Sequence, residues 1–220
     1  EMVGDPGEEQ WPALSSADWQ GLAERKSAVL FGPGVGVHAS TQKTLDTLLE
    51  HCGVPWLIDA DGLNNLSVDV GRLRKARVAP VLTPHPGEMS RLTGIDTVEI
   101  NGDRVRVART FAVENRCYLV LKGARTVMAT PDGQVSINPT GNAGMASGGM
   151  GDVLAGIVAG FLAQGLMPAD AVRLGVYLHG RTGDRLADGR GGVGLIASDV
   201  VEELPLTIRE LMQIKEMIRD

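Results

Sequence analysis

The chain has 220 residues, 43% hydrophobic and 22% charged, the balance of a globular protein long enough to bury a sizeable core. Its 27 acidic side chains outnumber 21 basic ones and leave a net charge of -6, which argues against a nucleic-acid partner. No apolar run reaches the roughly 18 residues of a membrane span, no signal peptide opens the chain, and Cys52 and Cys117 lie outside any CxxC pair, so a cytoplasmic protein with two reduced thiols and no zinc site is expected.

Residues 1 to 27 are polar and lack strand alternation. A short apolar strand over Ala28 to Phe31 then runs into the loop FGPGVG. Leu45, Leu48, Leu49 and Cys52 recur at helical spacing, with Gly53 placed to stop that helix. PWLIDADGLNNL reads as a strand and turn, and APVLTPHPGE as a strand ended by two prolines. Thr97 to Asn115 predicts one amphipathic helix with Val105, Ala108, Phe111 and Ala112 on its apolar side. CYLVLKG is a fourth strand, and RTVMAT and QVSIN predict a hairpin across Pro131, Asp132 and Gly133. Val153, Leu154, Ile157, Val158, Phe161 and Leu162 form a broad helical stripe, and further helices fit Pro168 to Asp188 and Ser198 to Arg219. Strands alternating with helices imply an α/β fold: one mostly parallel central sheet, helices on both faces, three layers in all. With no repeat, low-complexity tract or linker, residues 1–220 read as a single domain.

Five glycines stand between Gly141 and Gly151, directly before Asp152 and the last of those apolar stripes but two. The first turn of a helix has unpaired N–H groups and a partial positive charge, and glycines there let the amides reach an anion such as phosphate. The spacing is neither GxxxxGK[ST] nor GxGxxG after a strand, so neither the Walker loop nor the dinucleotide fingerprint applies. Two readings stand for Asp152: a base that takes the proton of a hydroxyl attacking a phosphoryl group, or a helix cap.

The run NAGMASGGMGDVLAGIVAGFLAQG resembles the signature of the NAD(P)H-hydrate dehydratases, a branch of the ribokinase-like fold, and TPHPGEMSRLTG, Thr83 to Gly94, resembles that family's second signature. FGPGVG, IDADGLNNL, VLKGARTVM, VYLHGRTGD and GLIASDV follow the same pattern in the same order, from about Val29 to Val200. The resemblance implies repair of NADH or NADPH hydrated at a ring double bond. ADP, or ATP, would phosphorylate the hydrate hydroxyl with Mg2+ as the ion, and loss of phosphate would restore the ring. It also implies a homo-oligomer, commonly a tetramer. The alternative within the superfamily is a kinase of a small vitamin precursor, which would release a stable phosphorylated product.

On the family pattern Asp152 is the base and a substrate contact. Gly148, Gly149 and Gly151 hold phosphate with their amides, and Lys122, Gly123, Ala124, Arg125 and Thr126 match the nucleotide-binding KGxxT segment. His85 of HPGE and Gly34 or Gly36 of the GPGVG loop line the substrate side. Read as residues alone, His85 is first a rigid-turn residue between prolines, and a snorkelling lysine stands as the alternative for Lys122. Asn142 either contacts the nucleotide or caps a turn. For Asp59 and Asp61 holding the turn comes before positioning metal or ribose. His38 and His51 read as ordinary helix residues and His179 as a packed one. Family members carry a glycine-rich strand-helix unit ahead of this region. Residues 1–27 show no equivalent, so the resemblance implies a domain without that unit, supplied by another segment or a separate chain.

Overall fold

A computed structural model describes Ala13 and residues 15–217. Six strands form one sheet in the order β1 (Val29–Phe31), β2 (Trp56–Ile58), β3 (Val81–Leu82), β4 (Tyr118–Leu121), β5 (Val127–Ala129) and β6 (Val135–Ile137). The first four are parallel, with Leu57 opposite Val81 and Leu82 opposite Leu119. The last two return antiparallel, as the predicted hairpin requires.

Because successive strand side chains point to opposite faces, each of the inner strands β2 to β5 feeds two cores. Ile58, Leu82, Leu119 and Leu121 join the core that holds Leu45, Leu48 and Leu49 of α2 (Ala39–His51). Leu57, Val81, Val120 and Met128 join the opposite one, with Leu154, Val158 and Leu162 of α7 (Met150–Ala163) and Val172 and Val176 of α8 (Pro168–Arg190). Burial of a side chain such as Leu154 or Val158 contributes about 1.5–3 kcal/mol. Between these layers lies the sheet, so the expected three-layer architecture is the one observed.

α1 (Ser16–Ala23) lies in the polar lead and is fixed by a Ser15–Asp18 capping box and by buried Trp19, whose indole N–H donates to the His51 carbonyl. The rest of the lead's sequence reading, over residues 1–12 and Leu14, and the end of the last helix at Arg219 lie outside the described residues.

Three elements differ from the sequence reading. The stretch after β2 is not only a turn, since α3 (Asp61–Leu66) forms there. The prolines of HPGE do not simply end a strand: Pro86 occupies the first position of α4 (Pro86–Thr93), where its missing N–H costs nothing, and Gly94 closes that helix in the left-handed conformation. The helix predicted over Thr97 to Asn115 is two, α5 (Thr97–Gly102) and α6 (Arg104–Asn115). Asp103, at φ -148°, breaks the first and caps the second through the Arg106 amide. The break turns α6, so Val107 points inward with Ala108, Phe111 and Ala112 while Val105 is exposed. α9 (Ala197–Met217) packs on α8 through ion pairs such as Arg185–Glu203. Among the described residues no helix is long and apolar enough to cross a membrane.

Candidate functional site

In an open parallel sheet, the ends of the strands where helices begin form the natural crevice for a ligand. Here Asp59, after β2, and Lys122, after β4, meet Gly151 in the first turn of α7, Glu88 from beyond β3 meets Lys122, and Gly32, after β1, meets the Asp59 backbone. A glycine is forced at the last of these: Gly32, at φ +137°, passes so close to the Asp59 carbonyl that a Cβ would collide with it.

The N-cap of α7 is Gly149 and no side chain caps it. Asp152 is the third residue of the helix, exposed, and among the described residues its carboxylate has no hydrogen bond or ion pair. The cap reading of Asp152 is therefore the poorer one. The amides of Gly148, Gly149 and Gly151 likewise donate to no acceptor among the described residues. This leaves an unpartnered acid beside free amides at the positive end of a helix.

Beneath Gly151 sits a buried charge cluster. The Lys122 ammonium, at the end of β4, lies 2.8 Å from Asp59 Oδ1 and 3.6 Å from Glu88 Oε2. A Cβ on Gly151 would stand 3.3 Å from Lys122 Nζ and 3.9 Å from Asp59 Oδ2. Asp59 is 1% exposed, so its pairing with Lys122 is what makes its charge tolerable there; unpairing such a group costs about 3–5 kcal/mol. Lys122 is thus locked rather than snorkelling. Asp59 also closes the turn through its carbonyl, which accepts from the Gly62 amide, but its side chain belongs to the site floor. Ala60 follows at φ +47°, ψ -122°, a conformation that costs a residue with a Cβ about 1–3 kcal/mol. That strained step separates Asp59, which serves Lys122, from Asp61, which serves the neighbouring loop.

Glu88 Oε2 accepts from the His85 amide, and His85 Nδ1 accepts from the Gly87 and Glu88 amides, a capping box built on histidine. With Nδ1 accepting, the ring proton is on Nε2, which stands 3.6 Å from Glu88 Oε1. The imidazole is half-exposed and presents its Nε2 edge at the rim. His85 thus shapes the turn, and its ring faces solvent beside the cluster.

Gly123, Ala124 and Arg125 are exposed, and the Thr126 hydroxyl donates to the Gly123 carbonyl, closing the segment into a loop. Asn142 is turned inward on its own loop: Nδ2 donates to Asp184 and Oδ1 accepts from the Gly144 amide, while Gly141 also donates to Asp184. These bonds favour the turn-capping reading of Asn142. On the opposite rim Gly34 is exposed with open space around it. Gly36 gives its amide to Asp61 Oδ2 at 3.0 Å and its carbonyl to Asn65 Nδ2 at 2.8 Å, with the His38 ring against it. His38 stands at the N-cap position of α2, with no side-chain cap bond, rather than within the helix, and His51 is in the last turn as expected. His179 is packed beneath α7, near the Met150 backbone; burial pulls its pKa down to about 4, and Nε2 has no partner among the described residues.

Three residues of the site were not singled out as such from the sequence: Glu88, Arg104 and Asp184. Glu88 and Asp184 had a signal, their places in HPGE and VYLHGRTGD, and Arg104 had none. A shallow hollow of about 480 Å³ between β6 and α8, around Ser136, Arg173 and Tyr177, lies away from this cluster.

Among the described residues no group of three or more His, Cys, Asp or Glu side chains could hold a metal ion. Lys122 already occupies the gap between Asp59 and Glu88. The donor set fits Mg2+ carried on a ligand's phosphates, with one or two carboxylates nearby, and not a resident cage.

Residues 6–206 match the NAD(P)H-hydrate dehydratase family. The bifunctional NAD(P)H-hydrate repair enzyme Nnr of Moorella thermoacetica is 46% identical over 209 residues, 94% of this chain and 39% of that protein. The ADP/ATP-dependent NAD(P)H-hydrate dehydratase of Bacillus subtilis, co-crystallised with ATP/Mg2+, superposes with a TM-score of 0.74 at 32% identity, covering 88% of this chain and 69% of that one. A ribokinase-like superfamily protein of Enterococcus faecalis superposes with a TM-score of 0.70 at 28% identity, covering 88% of this chain and 68% of that one. The chain spans about two-fifths of the length of the bifunctional relative and about two-thirds of the solved structures.

Proposed function

We propose, because this chain belongs to the NAD(P)H-hydrate dehydratase family, that it carries out the nucleotide-dependent dehydration of hydrated NADH or NADPH. The observation that carries the reading is the unpartnered Asp152 carboxylate in the first turn of a glycine-capped helix, above the Lys122 ammonium. Hydroxide is a poor leaving group and phosphate a good one, so phosphorylation prepares an elimination. Asp152 takes the proton of the hydrate hydroxyl as its oxygen bonds to the terminal phosphorus of ADP, or of ATP, and the bond from that phosphorus to the remaining nucleotide breaks. Phosphate then leaves with the C–O electron pair, a proton departs from the neighbouring ring carbon, and the double bond returns.

The amides of Gly148, Gly149 and Gly151 receive the phosphates, as free N–H groups at a helix start do. Lys122 adds a fixed positive charge beneath them, and Gly123 to Thr126 form the exposed loop on the nucleotide side. His85 Nε2 and the Gly34 edge face the hydrated nicotinamide. Asp59 and Glu88, close to Lys122, are the carboxylates that would neighbour Mg2+ arriving on the nucleotide; when bound, the ion neutralises charge developing on the phosphates. A cytoplasmic setting fits the two buried, unbridged thiols.

Mixing the protein with hydrated NADH, ADP and Mg2+ is expected to restore absorbance in the nicotinamide band, with AMP and phosphate released. A stable phosphorylated hydrate and no restored absorbance would overturn the dehydratase reading in favour of a kinase.

A further inference from the structure

The strand end that delivers Lys122 is held from below by a side chain outside the family-like motifs. Arg104, the first residue of α6, sends its Nη2 to the carbonyls of both Leu121 (2.7 Å) and Lys122 (3.0 Å), and its Nη1 to Asn101 Oδ1 at 3.3 Å. In a regular strand successive carbonyls point in opposite directions. Two consecutive ones can meet one nitrogen only if the backbone turns between them. The turn is completed at Gly123, whose φ is +139° and whose missing Cβ leaves room for the guanidinium: a Cβ would stand 2.8 Å from Nη1. The guanidinium is partly buried, its Nε has no partner, and among the described residues no carboxylate pairs with it. Its charge is therefore directed at two backbone oxygens.

The structure assigns Arg104 as a positioning residue for the nucleotide-side loop: by gathering the Leu121 and Lys122 carbonyls it turns acceptors away from the phosphates and sets the direction in which Lys122 and the Gly123–Thr126 loop leave the sheet. The inference rests on the nucleotide reading of that loop. It separates Arg104 from the opposite rim, since among the described residues Gly34, Gly36 and Asp61 make no hydrogen bond or ion pair with it.

The test compares ADP binding by calorimetry, and the KM values for ADP and for hydrated NADH, in the wild-type protein, Arg104→Met and Arg104→Lys. Arg104→Met is expected to weaken ADP binding about tenfold, the scale of one lost charge-assisted interaction, with the KM for hydrated NADH within about twofold of wild type. Arg104→Lys, a point charge without the two-pronged fork, is expected to recover only part of the loss. Unchanged ADP affinity in Arg104→Met, or a loss for both substrates that tracks a fall in melting temperature, would overturn the assignment. If Arg104→Met does not fold, Arg104→Lys decides alone: weaker ADP binding with unaltered hydrated-NADH KM supports the role, and wild-type ADP binding overturns it. A wild-type protein that binds no ADP would sink the nucleotide reading as well, whereas one that binds ADP indifferently to residue 104 sinks only this inference.

Discussion

At the GPGVG loop, Gly36 spends its amide on Asp61 and its carbonyl on Asn65, and at the start of α7, on the other rim, the amides of Gly148, Gly149 and Gly151 are spent on nothing among the described residues. Both segments are rich in glycine, yet one is internally satisfied and the other left open. Free backbone donors at a helix start are tolerated only where water or a ligand reaches them. The contrast teaches that glycine content alone does not mark an anion site. What marks it is glycine whose amides remain unclaimed, with a cation below and an acid alongside. The satisfied rim is a preformed wall, suited to shape; the open rim is a receptor, suited to charge.

The largest effect expected on the open rim is from Asp152→Asn. Because the carboxylate holds no partner, the change should leave the melting temperature and ADP affinity close to wild type while turnover falls by about 100-fold or more, the scale of a lost general base. A variant with full turnover would return Asp152 to a merely local role and erase the distinction between the rims.

A second difference concerns acid. His179 lies half-buried under the first turn of α7, its Nε2 closed off from water, whereas His85 and His38 face solvent. Its pKa of about 4 in the folded protein lies below the ordinary 6.5 because burial disfavours the imidazolium. The unfolded chain therefore binds the proton first as pH falls. Stability present above about pH 6.5 is lost progressively down to about pH 4, by about 3 kcal/mol in total. Denaturant melts at pH 7 and pH 4.5 should show a smaller drop for His179→Phe than for the wild type. Equal drops would mean that the ring is wetter than its packing implies.

The same contrast sorts what the residues alone could reveal. The apolar strands, the hairpin and the α7 stripe were legible because each rests on near-neighbour patterning, and Asp152 with its glycines because the whole feature lies within one short run. The α4 helix was missed because its cap is His85, outside the usual Ser, Thr, Asp and Asn, and because prolines read as breakers when this one starts the helix. The break at Asp103 was missed because an aspartate within an amphipathic pattern looks like an ordinary polar-face residue. Asp59 was ranked as a turn residue because its side-chain partner, Lys122, is 63 residues away and only the sheet order β2–β3–β4 brings them together. Arg104 carries no local signal at all, since its work is done on carbonyls 17 and 18 residues further on.

Gly148→Val probes the openness of the receptor rim directly. No atom lies within 4 Å of where its Cβ would go, and its φ is not in the left-handed range, so the folded protein should accept the side chain with little change in stability. The branched group would stand in front of the amide instead. ADP binding should weaken about tenfold, equivalent to about 1.4 kcal/mol, while the KM for hydrated NADH stays put. Gly149 is less informative, since it combines φ +81° with a Cβ position 3.1 Å from Ala197 Cβ and its substitution would strain the helix start.

The smallest effect, and the sharpest test of the comparison, comes from the satisfied rim. Asp61 holds the Gly36 amide at 3.0 Å and also lies 3.4 Å from Asn64 Nδ2, so Asp61→Ala frees the loop without touching α7 or Lys122. Losing a charge-assisted bond should lower stability by about 1–2 kcal/mol. A preformed wall that loosens binds its ligand less well, because ordering the loop must then accompany binding. The KM for hydrated NADH should rise about fivefold, a cost near 1 kcal/mol, and ADP affinity should not move. If instead ADP affinity falls and the hydrated-NADH KM is unchanged, the roles of the rims are reversed: the GPGVG loop would be the nucleotide side, and the free amides of α7 would await a different anion.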